Sequence, residues 1–286
     1  MDPTLTFTQR SNYGLRETAL ALKKSDNPGT TAVIAHGANP GIISHFLKRA
    51  LLQVAKDTDL KLDKPKNQRE WAGLAKDLDI KTIHIAEYDT QVSHSPKKIG
   101  WFENTWSVYG FHAEGVTQPS ELGWGTHEKY WPADAKKHSE NIDSPIYLER
   151  PGAITFVRTW TPLNKHFLGR LVTHNESISI SKFLTLKKGD ETIYRPTVYY
   201  AYRPCDAATL SLEEAFGKNR QLQDNQKILL DEITGGMDEL GILLMGNKKG
   251  AYWYGSQLTI DETRKLAPYQ NATGLQVTAG VLGAMV

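Results

Sequence analysis

The chain is 286 residues long, 40% hydrophobic and 23% charged, with a formal net charge of +2. It can bury a substantial core in one large or two smaller domains, no apolar run approaches a membrane span, and the near-neutral balance gives no reason to expect nucleic acid or an anionic membrane as partner. Cys205 is the single cysteine, which excludes an intrachain disulfide; the first ten residues lack a charged segment followed by an apolar one, so the expected compartment is the cytoplasm.

In chain order, residues 8–24 read as a helix, with Tyr13, Leu15, Leu20 and Leu22 among polar residues, and a turn follows at Asn27-Pro28-Gly29. The run 31–35 (TAVIA) reads as a short buried strand, 42–55 as an amphipathic helix, 69–77 as a third helix and 82–86 as a second strand. A strand–helix–strand unit of this kind favours parallel pairing. Beyond residue 150 the texture changes: 154–160, 183–186, 193–202, 226–233 and 240–245 read as strands, with hairpin turns at Lys187-Lys-Gly-Asp and Asn247-Lys-Lys-Gly. The expected fold class is α/β to α+β, a strand–helix–strand unit followed by a mixed, largely antiparallel sheet domain. Residues 274–286 form an apolar, helix-like run without a stop signal, which points to a piece of a longer protein.

Between these halves lies the stretch 101–131, WFENTWSVYGFHAEGVTQPSELGWGTHEKYW, with four of the seven tryptophans interleaved with Glu103, Glu114, Glu121 and Glu128. Ring faces attract an ammonium through their quadrupole, and carboxylates accept charge-assisted hydrogen bonds from the same group. The composition fits an organic-cation site, and equally a packed hairpin with a solvated face.

Two further segments carry candidate chemistry. In His36-Gly-Ala-Asn-Pro-Gly41, Asn39 is placed as a helix N-cap and Pro40 as the first helical residue. The turn reads either as a good helix start or as a ligand site at the end of a strand. Glu87 and Asp89 sit at the C-terminal end of the second strand, facing the same crevice as the Asn39 turn, or else at a solvated strand end. No metal is expected: Trp131 stands where a zincin's second histidine belongs, and the nine histidines show no ligand spacing. No Gly-x-Gly-x-x-Gly fingerprint occurs.

The phrases AHGANPGIISHFLKRAL (35–51), IHIAEYDTQ (83–91), ENTWSVYGFHAEG (103–115), ELGWGTHEK (121–129), THNESISI (173–180), YRPTVYYAYRPCD (194–206) and NATGLQVTAGVL (271–282) are similar, in order and spacing, to bacterial homospermidine synthase. That family more distantly resembles saccharopine dehydrogenase. The resemblance implies a saccharopine dehydrogenase-like substrate and dimerisation domain over 31–286, truncated at its C-terminus, with 1–30 a remnant of the nucleotide-binding domain. It implies an enzyme that uses NAD as a redox prosthetic group to transfer an aminobutyl group from one putrescine to another with loss of ammonia, in a cytoplasmic homodimer.

The same resemblance assigns residues. Trp106 holds cationic intermediates by a cation–π contact, Glu114 holds a substrate ammonium, and Glu87 is a second acid of the diamine pocket. Asn39 lies near the reacting centre and nicotinamide, and His174 at the inner end of the site, where it is suited to proton transfer or to a structural role. Tyr88 stands where the family has an arginine, and the family's Rossmann portion, with its phosphate-binding glycines, precedes the equivalent of Met1.

Overall fold

The computed structural model describes residues 4–23, 29, 31–61, 63–139 and 145–286. Its centre is a curled six-stranded sheet in the order Gly250–Thr259, Met237–Asn247, Thr82–Asp89, Thr197–Arg203, Lys165–Arg170, Phe156–Thr161. Only the central Thr82 and Thr197 strands run parallel; their other neighbours are antiparallel. The Thr82 strand is buried along almost its whole length, as a central strand covered on both faces must be.

Eight helices surround the described part of the sheet: α1 (Asn12–Ala21), α2 (Ile42–Asp57), α3 (Gln68–Asp77), α4 (Val108–His112), α5 (Asn175–Phe183), α6 (Asp206–Gly217), α7 (Ile260–Leu266) and α8 (Ala272–Met285). In α2, Ile43, Leu47, Ala50, Leu51, Val54 and Ala55 form one buried stripe at helical spacing, which packs on the Met237 and Gly250 strands. Three-stranded and two-stranded sheets carry the remaining short strands.

Several expectations change. The run 31–35 is not a strand: it has no sheet partner and is exposed, with Val33 and Ile34 56% and 63% open. A strand needs a neighbour for its backbone groups, so the strand–helix–strand unit does not form. The Thr82 strand finds its parallel partner far along the chain instead. The N-cap is also displaced. α2 begins at Ile42 after Gly41, whose φ of 137° suits glycine and where a Cβ would sit 2.2 Å from the Gly37 carbonyl oxygen. Asn39 precedes a cis peptide to Pro40, and its amide binds Glu87 instead of capping the helix.

The first helix is shorter than 8–24, covering Asn12–Ala21, and Asn27-Pro28 lies outside the described residues. Phe183 ends α5 rather than starting a strand; the alternating Ser-Ile pattern of that helix imitates strand spacing. The 193–202 run divides at Arg195-Pro196, proline lacking a ladder donor. The 226–233 run likewise divides into Asn225–Ile228 and Ile233–Gly235, and Ile154 belongs to a 3₁₀ turn ahead of the Phe156 strand. Both hairpin turns form, with Gly189 and Gly250 at φ of 61° and 86°, and the apolar end is helical as α8.

Candidate active site

Strand periodicity assembles the site. Side chains two apart share a face, so Glu87 and Asp89 point the same way, as do Tyr200 and Tyr202 on the neighbouring strand. Register places Glu87 beside Tyr202 and Asp89 directly opposite Asp238. One face of the sheet thus carries three carboxyls and two phenols, all buried.

Around this face the predicted residues converge. Glu87 Oε2 accepts from the Tyr200 hydroxyl at 2.7 Å and from Asn39 Nδ2 at 3.0 Å. The Tyr200 ring stacks on Tyr202 at 5.3 Å and lies 4.7 Å from the His174 ring. Tyr202 accepts a hydrogen bond from Trp106 Nε1 at 3.2 Å. His174 Nδ1 lies 2.7 Å from Glu176 Oε2, and its Nε2 3.6 Å from Glu114 Oε2. Asn39, Glu87, Trp106, Glu114 and His174 therefore belong to one connected cluster.

Local structure explains each position. Asn39 rides on the Gly37–Gly41 turn, which α8 buttresses: His36 Nδ1 donates to the Gly280 carbonyl at 2.9 Å. Ser107 caps α4 through the Gly110 amide, and the helix widens into a π-helical turn, Ala113–Thr117, that carries Glu114. His174 is the residue ahead of α5, and Glu176 sits in that helix's first turn, where its dipole favours a carboxylate. Trp106 and Glu114 are half-buried at the edge of the cluster; Glu87, Asp89, Asp238, His174 and Glu176 lie beneath.

Burial dominates the electrostatics. Desolvation pushes Glu87 up to about 7, with Asp89 adding repulsion and the Tyr200 hydrogen bond opposing it. Asp89 rises to about 6 for the same first reason, against hydrogen bonds from Thr105 and Gln91, and Asp238 lies well above the ordinary carboxylate range through burial and the Glu87 and Asp89 charges. Burial also lifts Glu114 to about 7, although His174 opposes the rise. Burial alone would lower His174, but Glu176 and Glu114 reverse this and raise it to about 9. His174 is thus a cation at neutral pH, a proton donor rather than a base in this state.

Acceptors of the cluster stay open. Glu114 Oε2 and Asp238 Oδ1 are buried without a hydrogen-bond partner, and among the described residues no lysine or arginine pairs with Glu87, Asp89, Asp238 or Glu114. Buried polar atoms are normally satisfied, so the cluster can take a hydrogen-bond donor in addition to His174.

The 101–131 stretch divides. Trp106 and Glu114 join the cluster. Glu121 instead accepts from the backbone amides of Asn12 and Tyr13 at 2.9 and 3.0 Å and pairs with buried His138 at 2.9 Å, anchoring the N-terminus of α1. Glu103 accepts from the Lys98 amide and Glu128 from the Thr197 hydroxyl. Trp124 and Trp131 pack edge to face at 5.9 Å, and Trp101 lies under the Lys98 ammonium. Tyr88 packs edge-on against Phe167 and beneath the Arg203 guanidinium, on the face away from Glu87.

Sequence reading missed Asp238, Tyr200, Tyr202 and Glu176. The alternating tyrosines of VYYAYR carried a signal, being two apart on one strand face. Asp238 lies ahead of the 240–245 run that reads as a strand, whereas the strand itself runs from Met237.

The fold and this site define the class. Residues 37–286 match the saccharopine dehydrogenase C-terminal domain family, and the chain belongs to that family. It is 53% identical over 286 residues to the homospermidine synthase of Blastochloris viridis, covering 100% of this chain and 60% of the relative. It is 51% identical to that of Mesorhizobium japonicum over 282 residues, 97% of this chain and 58% of the relative. The crystal structure of the Legionella pneumophila homospermidine synthase in complex with NAD superposes with a TM-score of 0.93 at 54% identity, covering 97% of this chain and 60% of that one. The chain thus spans about 60% of the length of the relatives it matches.

Proposed function

We propose that this chain forms the diamine-handling side of a homospermidine synthase. The observation that carries the reading is the buried carboxyl cluster with unfilled acceptors on Glu114 and Asp238 and, among the described residues, no lysine or arginine partner, flanked by an indole. A diammonium substrate such as putrescine would bring an N–H donor to each of these open acceptors. Glu87 and Asp238 would receive one ammonium, Glu114 would hold the other, and the Trp106 ring would face developing cationic charge. His174, oriented by Glu176 and in reach of Glu114, would hold or move the proton that an amine must lose before it can react.

NAD is the cofactor this reading implies, supplying hydride transfer when bound. The residues present do not fit it as a complete site: Asn39 is a single polar contact already committed to Glu87, and the sequence given holds no Gly-x-Gly-x-x-Gly pattern. A nucleotide-binding domain carried by the part of the relatives this chain does not span would complete the enzyme. The exposed, partnerless run 31–35 supports a further sheet beside it, and Glu121 would make α1 the joint between residues 1–30 and the domain at 31–286. No helix among the described residues is long and apolar enough to cross a membrane; a cytoplasmic homodimer is part of the proposal, checked by light scattering.

Because the carboxyl cluster lies within this chain, a second reading is a polyamine-binding domain without catalysis. Incubating the chain with NAD+ and putrescine, with and without the N-terminal portion of a relative, separates the two. Homospermidine formed only in the mixture supports the enzyme reading, whereas putrescine binding without product in either case leaves the binding domain.

A further inference from the structure

A cavity of about 930 Å³ opens between α1, α2, α3 and α5, away from the carboxyl cluster, and none of its lining residues belongs to that cluster. Among the described residues, six basic side chains line it, Arg16, Lys48, Arg69, Lys182, Lys187 and Arg195, against one carboxylate, Glu17. Its floor is apolar, formed by Leu47, Trp124, Ile178 and Phe183. We propose that this cavity is a binding site for a small, multiply charged anion, separate from the diamine site.

The volume lies within the range of small-molecule pockets. Concave walls lined with one sign of charge concentrate the field inside, favouring a counter-charged guest, and the same field repels the diamines that the carboxyl cluster attracts. The basic groups are also held in place. Lys48 lies over the rings of Phe183 and Trp71 at 5.3 and 5.6 Å. Arg195 Nε donates to the Trp124 carbonyl at 2.7 Å, and Arg16 pairs with Glu17 at 2.8 Å. Gln68 donates to the carbonyls of Phe183 and Thr185, tying α3 to the turn after α5 and fixing that wall. The planar guanidinium fork matches pairs of oxygens on phosphate and carboxylate groups, and the apolar floor accommodates an uncharged body.

The test is titration of the full chain with tripolyphosphate and, in a parallel arm, with citrate, by calorimetry at low salt. Saturable one-to-one binding of either anion, weakened by added salt and reduced at least tenfold in a Lys48→Gln/Arg69→Gln double variant, is the expected result; the arm that binds identifies the anionic group. A Lys265→Gln control on α7, outside the cavity, should bind like the parent, and thermal melts confirm that the variants are folded. Putrescine should not displace the anion. The proposal is overturned by absence of saturable binding of both anions at millimolar concentration, by equal affinity in the double variant, or by competition from putrescine.

Discussion

At the scale of single residues, burial holds Glu87, Glu114 and Asp238 above the ordinary carboxylate range. Removing the indole in Trp106→Ala should weaken putrescine binding by about 0.5–2 kcal/mol, roughly two- to thirtyfold in Kd; calorimetry reads this directly, and an unchanged Kd would remove Trp106 from the site. The acids give a pH dependence. Glu87 and Glu114, both lifted to about 7, are largely protonated below that value, so affinity for a dication should rise from pH 6 to pH 8. Stability of the free chain should respond in the opposite sense. Between about 4.5 and 7 the Glu87 carboxyl is ionised in the unfolded chain but protonated in the folded one. The unfolded state then binds fewer protons, so this group's contribution is full below 4.5 and is lost as pH rises through 7. Glu87→Gln should therefore show a shallower fall in Tm over that interval than the parent, and parallel profiles would show that Glu87 titrates normally.

At the scale of elements, α8 connects two parts of the site. Its N-cap, Asn271, bonds the carbonyls of Thr105 and Leu229. Thr273, in its first turn, donates to Asp238 at 2.6 Å. Nearer its end, Gly280 crosses the Asn39 turn so closely that a Cβ would lie 2.1 Å from the Gly37 carbonyl oxygen. A backbone atom there has little freedom to move aside. Gly280→Val should cost about 1–3 kcal/mol, lowering Tm by several degrees, and should weaken putrescine binding by shifting Asn39 from Glu87. A variant that melts and binds like the parent would show that α8 is not the buttress of that turn. Glu121 does similar work for α1, accepting from two of its first backbone amides, which helices otherwise leave unpaired.

At the scale of the whole molecule, local patterns were legible and pairings were not. The helical stripe of α2 and the hairpin turns could be read because each is set by spacing or by a glycine within a few residues. The pairing of the Thr82 strand with the Thr197 strand could not, since it joins residues more than a hundred positions apart and left no mark in either segment. The same limit shaped the site. Trp106, Glu114 and Glu87 stood out by residue type and resemblance, whereas Asp238 became visible only when register set it opposite Asp89. The run 31–35 has strand composition but no strand neighbour here, so composition alone misled.

The most direct test of the central claim, that the buried carboxyl cluster is a diamine site, is a calorimetric titration of the chain with putrescine at pH 8 and pH 6, beside a Glu87→Gln/Glu114→Gln double variant whose fold is verified by its melt. Saturable binding that weakens at pH 6 and is lost in the double variant is the predicted result. Absence of saturable binding at pH 8, or equal affinity in the folded double variant, would contradict it.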